Sequence, residues 1–204
     1  MLPTNDKIIR KALRDLLGKE VAGYRRRGYG AEVIEELGVH HGTARIDFAL
    51  INGIMHGYEI KSDCDTLDRL PEQIEEFNTV FDRLIIVVGK RHLYQAMHIV
   101  PDWWGVTVAK FDDASRLVLQ VIRDPEDNRE QVGLSIARLL WKKEALKILE
   151  DQNEAKGFRH KPRETIYARL ADVLDNKTLK RAVSALLISR EHWRPGAQLT
   201  SSGG

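Results

Sequence analysis

The chain has 204 residues, 43% hydrophobic and 30% charged, with a formal net charge of +2, a composition that supports one sizeable core and excludes a disordered linker. A single cysteine, Cys64, excludes an internal disulfide and a cysteine-ligated zinc. With no apolar leader and no 18-residue apolar run, the expectation is a cytoplasmic protein without a membrane partner.

Residues 4–17 read as a helix capped by Thr4 or Asn5, with Ile8, Ile9, Ala12, Leu13, Leu16 and Leu17 on one stripe and Gly18 as its end. Arg25, Arg26 and Arg27, set among tyrosines and glycines, then form a mobile basic loop able to clamp a phosphate backbone; a solvated loop is the plainer reading. Residues 31–37 fit helix or strand by pattern, but the hairpin that follows needs a neighbour and the short run ends at Gly38, so they read as a strand. His40 and His41 fall in the following turn, where adjacent side chains diverge, so they read as surface histidines and not as a metal pair.

Residues 43–62 read as two strands folded back at Asn52-Gly53. A two-residue loop there would set Asp47 opposite Tyr58 and put Asp47 and Glu59 on opposite faces. Matching the apolar face of Ile46, Phe48 and Leu50 to Tyr58 and Ile60 needs a shift of one residue. A three-residue loop with Gly53 in the left-handed conformation, or a bulge at Gly57, supplies it and brings Asp47 beside Glu59 and Lys61. Two carboxylates and an ammonium suit a hard divalent cation and phosphodiester hydrolysis. The plainer alternative is a Glu59–Lys61 ion pair on a solvated face.

Asp47 in one strand, followed by Glu59-Ile60-Lys61 in the next, resembles the PD-(D/E)xK nuclease superfamily, with Ile46 where the pattern has proline. The resemblance extends to the order of elements over roughly the first 120 residues and to Gln73 on the next helix, where many members have a glutamine. It implies an α/β, restriction-endonuclease-like αβββαβ core with a mixed sheet, and cleavage of nucleic acid, DNA first, dependent on Mg2+ (or Mn2+). It also implies Asp47, Glu59 and the Ile60 carbonyl as metal ligands, Lys61 as the catalytic lysine, and Gln73 near the lysine, the water or a phosphate. Glu35 is a candidate for a further acidic group at the metal, with nothing in the sequence to rank it against Glu32 and Glu36. Cutting both strands of a duplex would require two sites, as in a homodimer.

Pro71 starts a helix running to about Val80 with Ile74, Phe77 and Val80 inward. Asp63, Asp65 and Asp68 lack the glycine and terminal glutamate of a calcium loop. The branched run Leu84 to Val88 predicts a strand buried on both faces, hence helices above and below a partly parallel sheet. A short helix near Arg91–Met97 and strands near 105–110 and 117–122 follow, with Trp103 and Trp104 read as core closers over base-stacking residues.

Asp124 to Asn128 breaks the pattern and divides the chain into 1–124, a nuclease-like domain, and 129–195, a helical domain. Helices are expected over about 130–150, 163–174 and 177–191, and residues 196–204 as a disordered tail. Residues 1–128 hold 17 Lys+Arg against 21 Asp+Glu, and residues 129–204 hold 15 against 9, a split of −4 and +6. A phosphate-gripping helical part beside an acidic metal site would give that split, and so would a solvated helical surface. The competing reading is a non-catalytic nucleic-acid-binding or protein-interaction module on the same fold.

Overall fold

The computed structural model describes residues 3–190; the predicted tail and the end of the predicted last helix at Glu191 lie outside them. The fold is α/β. Helix α1 (Asp6–Arg26) precedes strands β1 (Glu32–Val39), β2 (Ala44–Ile51) and β3 (Met55–Lys61); α2 (Leu70–Asn78), β4 (Arg83–Gly89), α3 (Leu93–Ile99), β5 (Gly105–Phe111) and β6 (Leu117–Arg123) follow. Four helices close the order: α4 (Gly133–Ala137), α5 (Lys142–Asp151), α6 (Arg163–Val173) and α7 (Asn176–Ser189). The six strands form one mixed sheet in sequence order, parallel at β3–β4 and β4–β5 and antiparallel elsewhere. As expected of a strand with parallel neighbours on both sides, Leu84 to Val88 are all buried.

Helix α1 does not stop at Gly18. Its stripe of Ile9, Leu13, Leu17 and Val21, each four residues on from the last, stays buried against the sheet. That packing outweighs the ~1 kcal/mol that a glycine costs inside a helix. Arg25 and Arg26 therefore belong to the last helical turn, where cations meet the negative end of the helix dipole, and Arg27 caps it with its guanidinium 4.9 Å over the Tyr24 ring. The expected basic loop is a helix end.

The β2–β3 register is the shifted one. Ile51 pairs with Met55 and Phe48 with Tyr58, around a three-residue loop in which Gly53 has φ of 103°. The Asn52 N–H donates to the Ile54 carbonyl at 3.2 Å across that loop. Gly57 is a glycine for another reason: a Cβ there would lie 2.7 Å from Leu84 and 3.1 Å from the Phe81 ring.

One face of the sheet packs on α1 through Phe48, Leu50, Ile60, Ile85 and Val87. The other packs on α2 and, in the same continuous apolar cluster, on Ile136, Leu149, Leu170 and Leu187 of the four C-terminal helices. Connections cross the expected boundary near residue 124: Gln131 Nε2 donates to the Val80 carbonyl, and Lys180 Nζ to the buried Asp82. The pattern expected as one helix over 130–150 is two, because the chain turns at Leu139–Trp141 and α5 starts afresh with Glu144 bonded to the Trp141 N–H. Trp104 is fully buried, its indole donating to Asn78, in the expected core role.

His40 is half-buried, whereas His41 is exposed, as expected. With φ of 47° and 63° they direct their rings to Thr79 and Glu76 and to Glu164, so the β1–β2 turn is fastened to α2 and α6. Gly57→Val should lower unfolding stability by about 2 kcal/mol through overpacking against Phe81 and Leu84, measured as a drop in the urea midpoint. An unchanged midpoint would mean that the sheet and the 81–84 segment do not pack as described.

Candidate active site

Sequence alternation sends Tyr58 and Ile60 to the α1 face and Glu59 and Lys61 to the α2 face, and α2 presents Gln73 there. The three polar side chains form a closed set. Lys61 Nζ donates to Glu59 Oε1 at 2.9 Å and to Gln73 Oε1 at 2.9 Å, and Gln73 Nε2 donates to Glu59 Oε1 at 2.6 Å. Glu59 is 3% exposed, yet its other oxygen, Oε2, is buried without a hydrogen-bond partner. Burial, and after it the negative charge of Asp47, pushes the Glu59 carboxyl up to about 7, against the pull of Lys61 and Gln73.

Asp47 stands where β2 and β3 diverge. Continuing the Phe48–Tyr58 register by one step sets it opposite Glu59, as the shifted hairpin requires. Its Oδ2 accepts the Ile60 N–H at 2.6 Å, in place of a backbone ladder bond. Strand N–H groups point within the sheet, so this carboxylate lies in the sheet plane, between the α1 and α2 faces. Its Oδ1 accepts from Arg10 of α1. Burial raises the Asp47 carboxyl, with Arg10 and the Ile60 N–H opposing.

On the other side of Asp47 the β1 register sets Glu36, between the Glu35–Phe48 and Leu37–Ile46 pairs. Glu36 has φ of 54°, which breaks the strand's alternation. As a result two consecutive glutamates meet arginines of α1: Glu36 lies 2.8 Å from Arg10, and Glu35 pairs with Arg14. The residue next to Asp47 is thus Glu36 and not Glu35. Glu36, Asp47 and Glu59 form one row across three strands, with Arg10 over the first two and Lys61 beside the third.

Arg10 carries no signal in the sequence. It falls on the polar side of the α1 stripe and has no spacing relation to the strands. The basic residues at the far end of α1 are not part of this site. Arg25 pairs with Glu32, and at 1.5 Å per residue it lies roughly 22 Å along the helix from Arg10.

Among the described residues no group of three or more His, Cys, Asp or Glu side chains is arranged to hold a metal ion. Mg2+ demands less, taking one or two carboxylates and keeping several waters. Asp47 and Glu59 fit that requirement: Glu59 Oε2 is an unused buried acceptor, and a carboxylate has about four lone-pair sites, so Asp47 retains capacity beside its two bonds.

Two outcomes follow from the electrostatics. The folded-state carboxyl of Glu59 lies above its usual 4.5, so its contribution favours folding below that pH and is lost as pH rises through about 7. Glu59→Gln should accordingly gain thermal stability relative to the wild type between pH 5 and pH 8 in metal-free buffer; a difference that does not change with pH would contradict the shift. Arg10→Gln should cost about 1 kcal/mol at pH 7, since the ion pairs it removes are part-buried and partly screened by solvent. By urea titration the loss should shrink toward pH 4 as Asp47, whose carboxyl is raised by burial, takes up its proton; an equal loss at both pH values would show that packing, not charge, is at stake.

The match to the family model described as Bacteriophage P4 protein cII runs over residues 13–195. Protein cII of Enterobacteria phage P4 is 32% identical over 85 residues, which are 42% of this chain and 32% of that protein, so the similar region spans about a third of the curated relative. No solved structure matches. The family match takes in the whole six-stranded sheet and the four C-terminal helices, and on that extent the chain belongs to the bacteriophage P4 protein cII family.

Proposed function

We propose that this protein is a metal-dependent nuclease that hydrolyses phosphodiester bonds of nucleic acid, DNA first, on a restriction-endonuclease-like core of the PD-(D/E)xK type. The observation that carries the reading is the Glu59 carboxylate: buried, with one oxygen held by Lys61 and Gln73 and the other with no donor, next in register to a second buried acid. An α–β–β–β–α–β order with the acid at the strand fork, the Glu-x-Lys on the next strand and the glutamine on the next helix accords with it.

Asp47 and Glu59, with the Ile60 carbonyl between Glu59 and Lys61, would hold Mg2+ (or Mn2+). Such an ion, when bound, polarises the phosphoryl oxygens and makes a bound water more acidic. The side chains have their own parts. An ammonium has three donors; two of those of Lys61 are taken by Glu59 and Gln73, and the third is left to orient the attacking water or to meet the charge growing on the phosphoryl oxygens. Gln73 is a positioning residue, since donating its Nε2 to Glu59 fixes its Oε1 toward Lys61. Arg10 holds Asp47 at the fork and offsets its charge.

One observation favours a second reading. Because Arg10 already supplies a positive charge to Asp47 and Glu36, the patch can also stand as a metal-free phosphate contact on a non-catalytic module. Incubation of labelled DNA and RNA with the protein, with and without Mg2+ or Mn2+, separates the two. Cleavage that needs the cation and falls at least 100-fold in folded Lys61→Ala is the expected result. Metal-independent binding of equal strength by both proteins, without cleavage, would establish the module instead.

A further inference from the structure

Residues 152–162 join α5 to α6 in a turn built from two kinds of residue. Ala155 is buried and Phe158 packs against the main apolar cluster, with the Arg169 guanidinium 5.8 Å over its ring. Backbone bonds brace it: the Glu154 N–H donates to the Leu149 carbonyl at 2.8 Å, the Phe158 N–H to Ala155 at 3.0 Å and the Lys161 N–H to Phe158 at 3.0 Å. Gly157, with φ of 83°, makes the bend between the two anchors. The remaining positions, Lys156, Arg159, His160 and Lys161, with Arg163 at the start of α6, are exposed. Several of them line a surface concavity of about 660 Å3 together with Glu150 and Asn153.

The local acids do not neutralise this turn. Glu150 pairs with Arg159 at 3.0 Å, Asp151 with Lys147 and Glu154 with Arg169. Lys156, Lys161 and Arg163 have no ion-pair partner among the described residues, so three like charges lie within eight residues on a backbone held by its apolar anchors. A lone surface lysine is ordinary; a braced turn that turns its apolar residues inward and concentrates uncompensated charge outward is a surface suited to a polyanion.

We propose that this turn docks the sugar-phosphate backbone of nucleic acid, as a second contact away from the Glu59 site. The choice of nucleic acid rests on the nuclease reading above, while the phosphate chemistry rests on the turn itself. A duplex carries one negative charge per ~1.7 Å of axis, so several phosphates can meet the cations of one turn at once. A lipid surface fits less well, since the turn offers no outward apolar side chain to insert. The Glu150 carboxylate in the concavity wall disfavours a small free anion there.

Fluorescence anisotropy of the full chain with a fluorescein-labelled 20-base-pair duplex and a single-stranded 20-mer, in EDTA over a range of KCl concentrations, tests this without any cleavage. Removing one phosphate-neutralising cation should reduce the slope of log affinity against log salt by ~0.9 on duplex. The variant Lys156→Ala/Lys161→Ala/Arg163→Ala is expected to flatten the slope by about 2.7 and to weaken binding at least tenfold near 100 mM KCl. Taking the same charge from other positions, in Lys19→Ala/Lys90→Ala/Lys110→Ala, should leave the slope close to that of the wild type. Wild-type affinity and slope in the turn variant would overturn the proposal, and so would a wild type that binds neither probe. Turn-dependent binding to vesicles of anionic lipid with none to nucleic acid would also overturn it. Intact, turn-dependent docking with no metal-dependent cleavage would leave this surface standing and remove only the nuclease reading.

Discussion

The site depends on a single register. With three residues in the β2–β3 loop, and Gly53 taking a backbone conformation that a side chain would strain, Asp47 comes opposite Glu59. One residue fewer would turn every side chain of one strand to the other face. The same frame continues into β1, where it adds Glu36 to the row. Three carboxylates aligned across neighbouring strands repel one another, and the fold answers with cations: Arg10 from α1, outside the sheet, and Lys61 from the strand itself. The two helices covering the sheet are thereby tied to the site as well as to the core.

Much of this was legible because it follows from short-range rules. The alternation of β3, the Asn-Gly turn and the matching of Phe48 and Leu50 to the face of Tyr58 and Ile60 were enough to predict the shifted register. Ile46, expected on that same face, packs in the opposite cluster because the alternation of β2 breaks at Asp47. The branched run at 84–88 was enough to predict a central parallel strand, and Pro71 placed the helix that carries Gln73. These signals are local, and the structure keeps them.

What was not legible depends on contacts distant in sequence or on backbone angles that residue type does not announce. Gly18 looked like a helix end, yet Val21 and the sheet beneath it carry α1 through to Arg26. The choice between Glu35 and Glu36 turns on the positive φ of Glu36, a conformation that glutamate rarely adopts. Arg10 gave no pattern at all. His40 read as a surface group, and the pairing of exposed His41 went unseen, because their partners, Glu76 and Glu164, lie far along the chain. The four C-terminal helices likewise show their apolar stripes in the sequence but not the sheet face that those stripes share.

In the proposed reading the buried Glu59 carboxylate, raised to about 7 by burial and by Asp47, holds a cation. Calorimetric titration of Mn2+ into the metal-free protein at pH 7, in buffers of different ionisation enthalpy, tests it most directly because it counts protons as well as ions. One ion should bind with release of close to half a proton, the share that a group titrating near 7 still carries at that pH. Absence of binding, or binding that releases no proton and survives in Glu59→Gln, would contradict it.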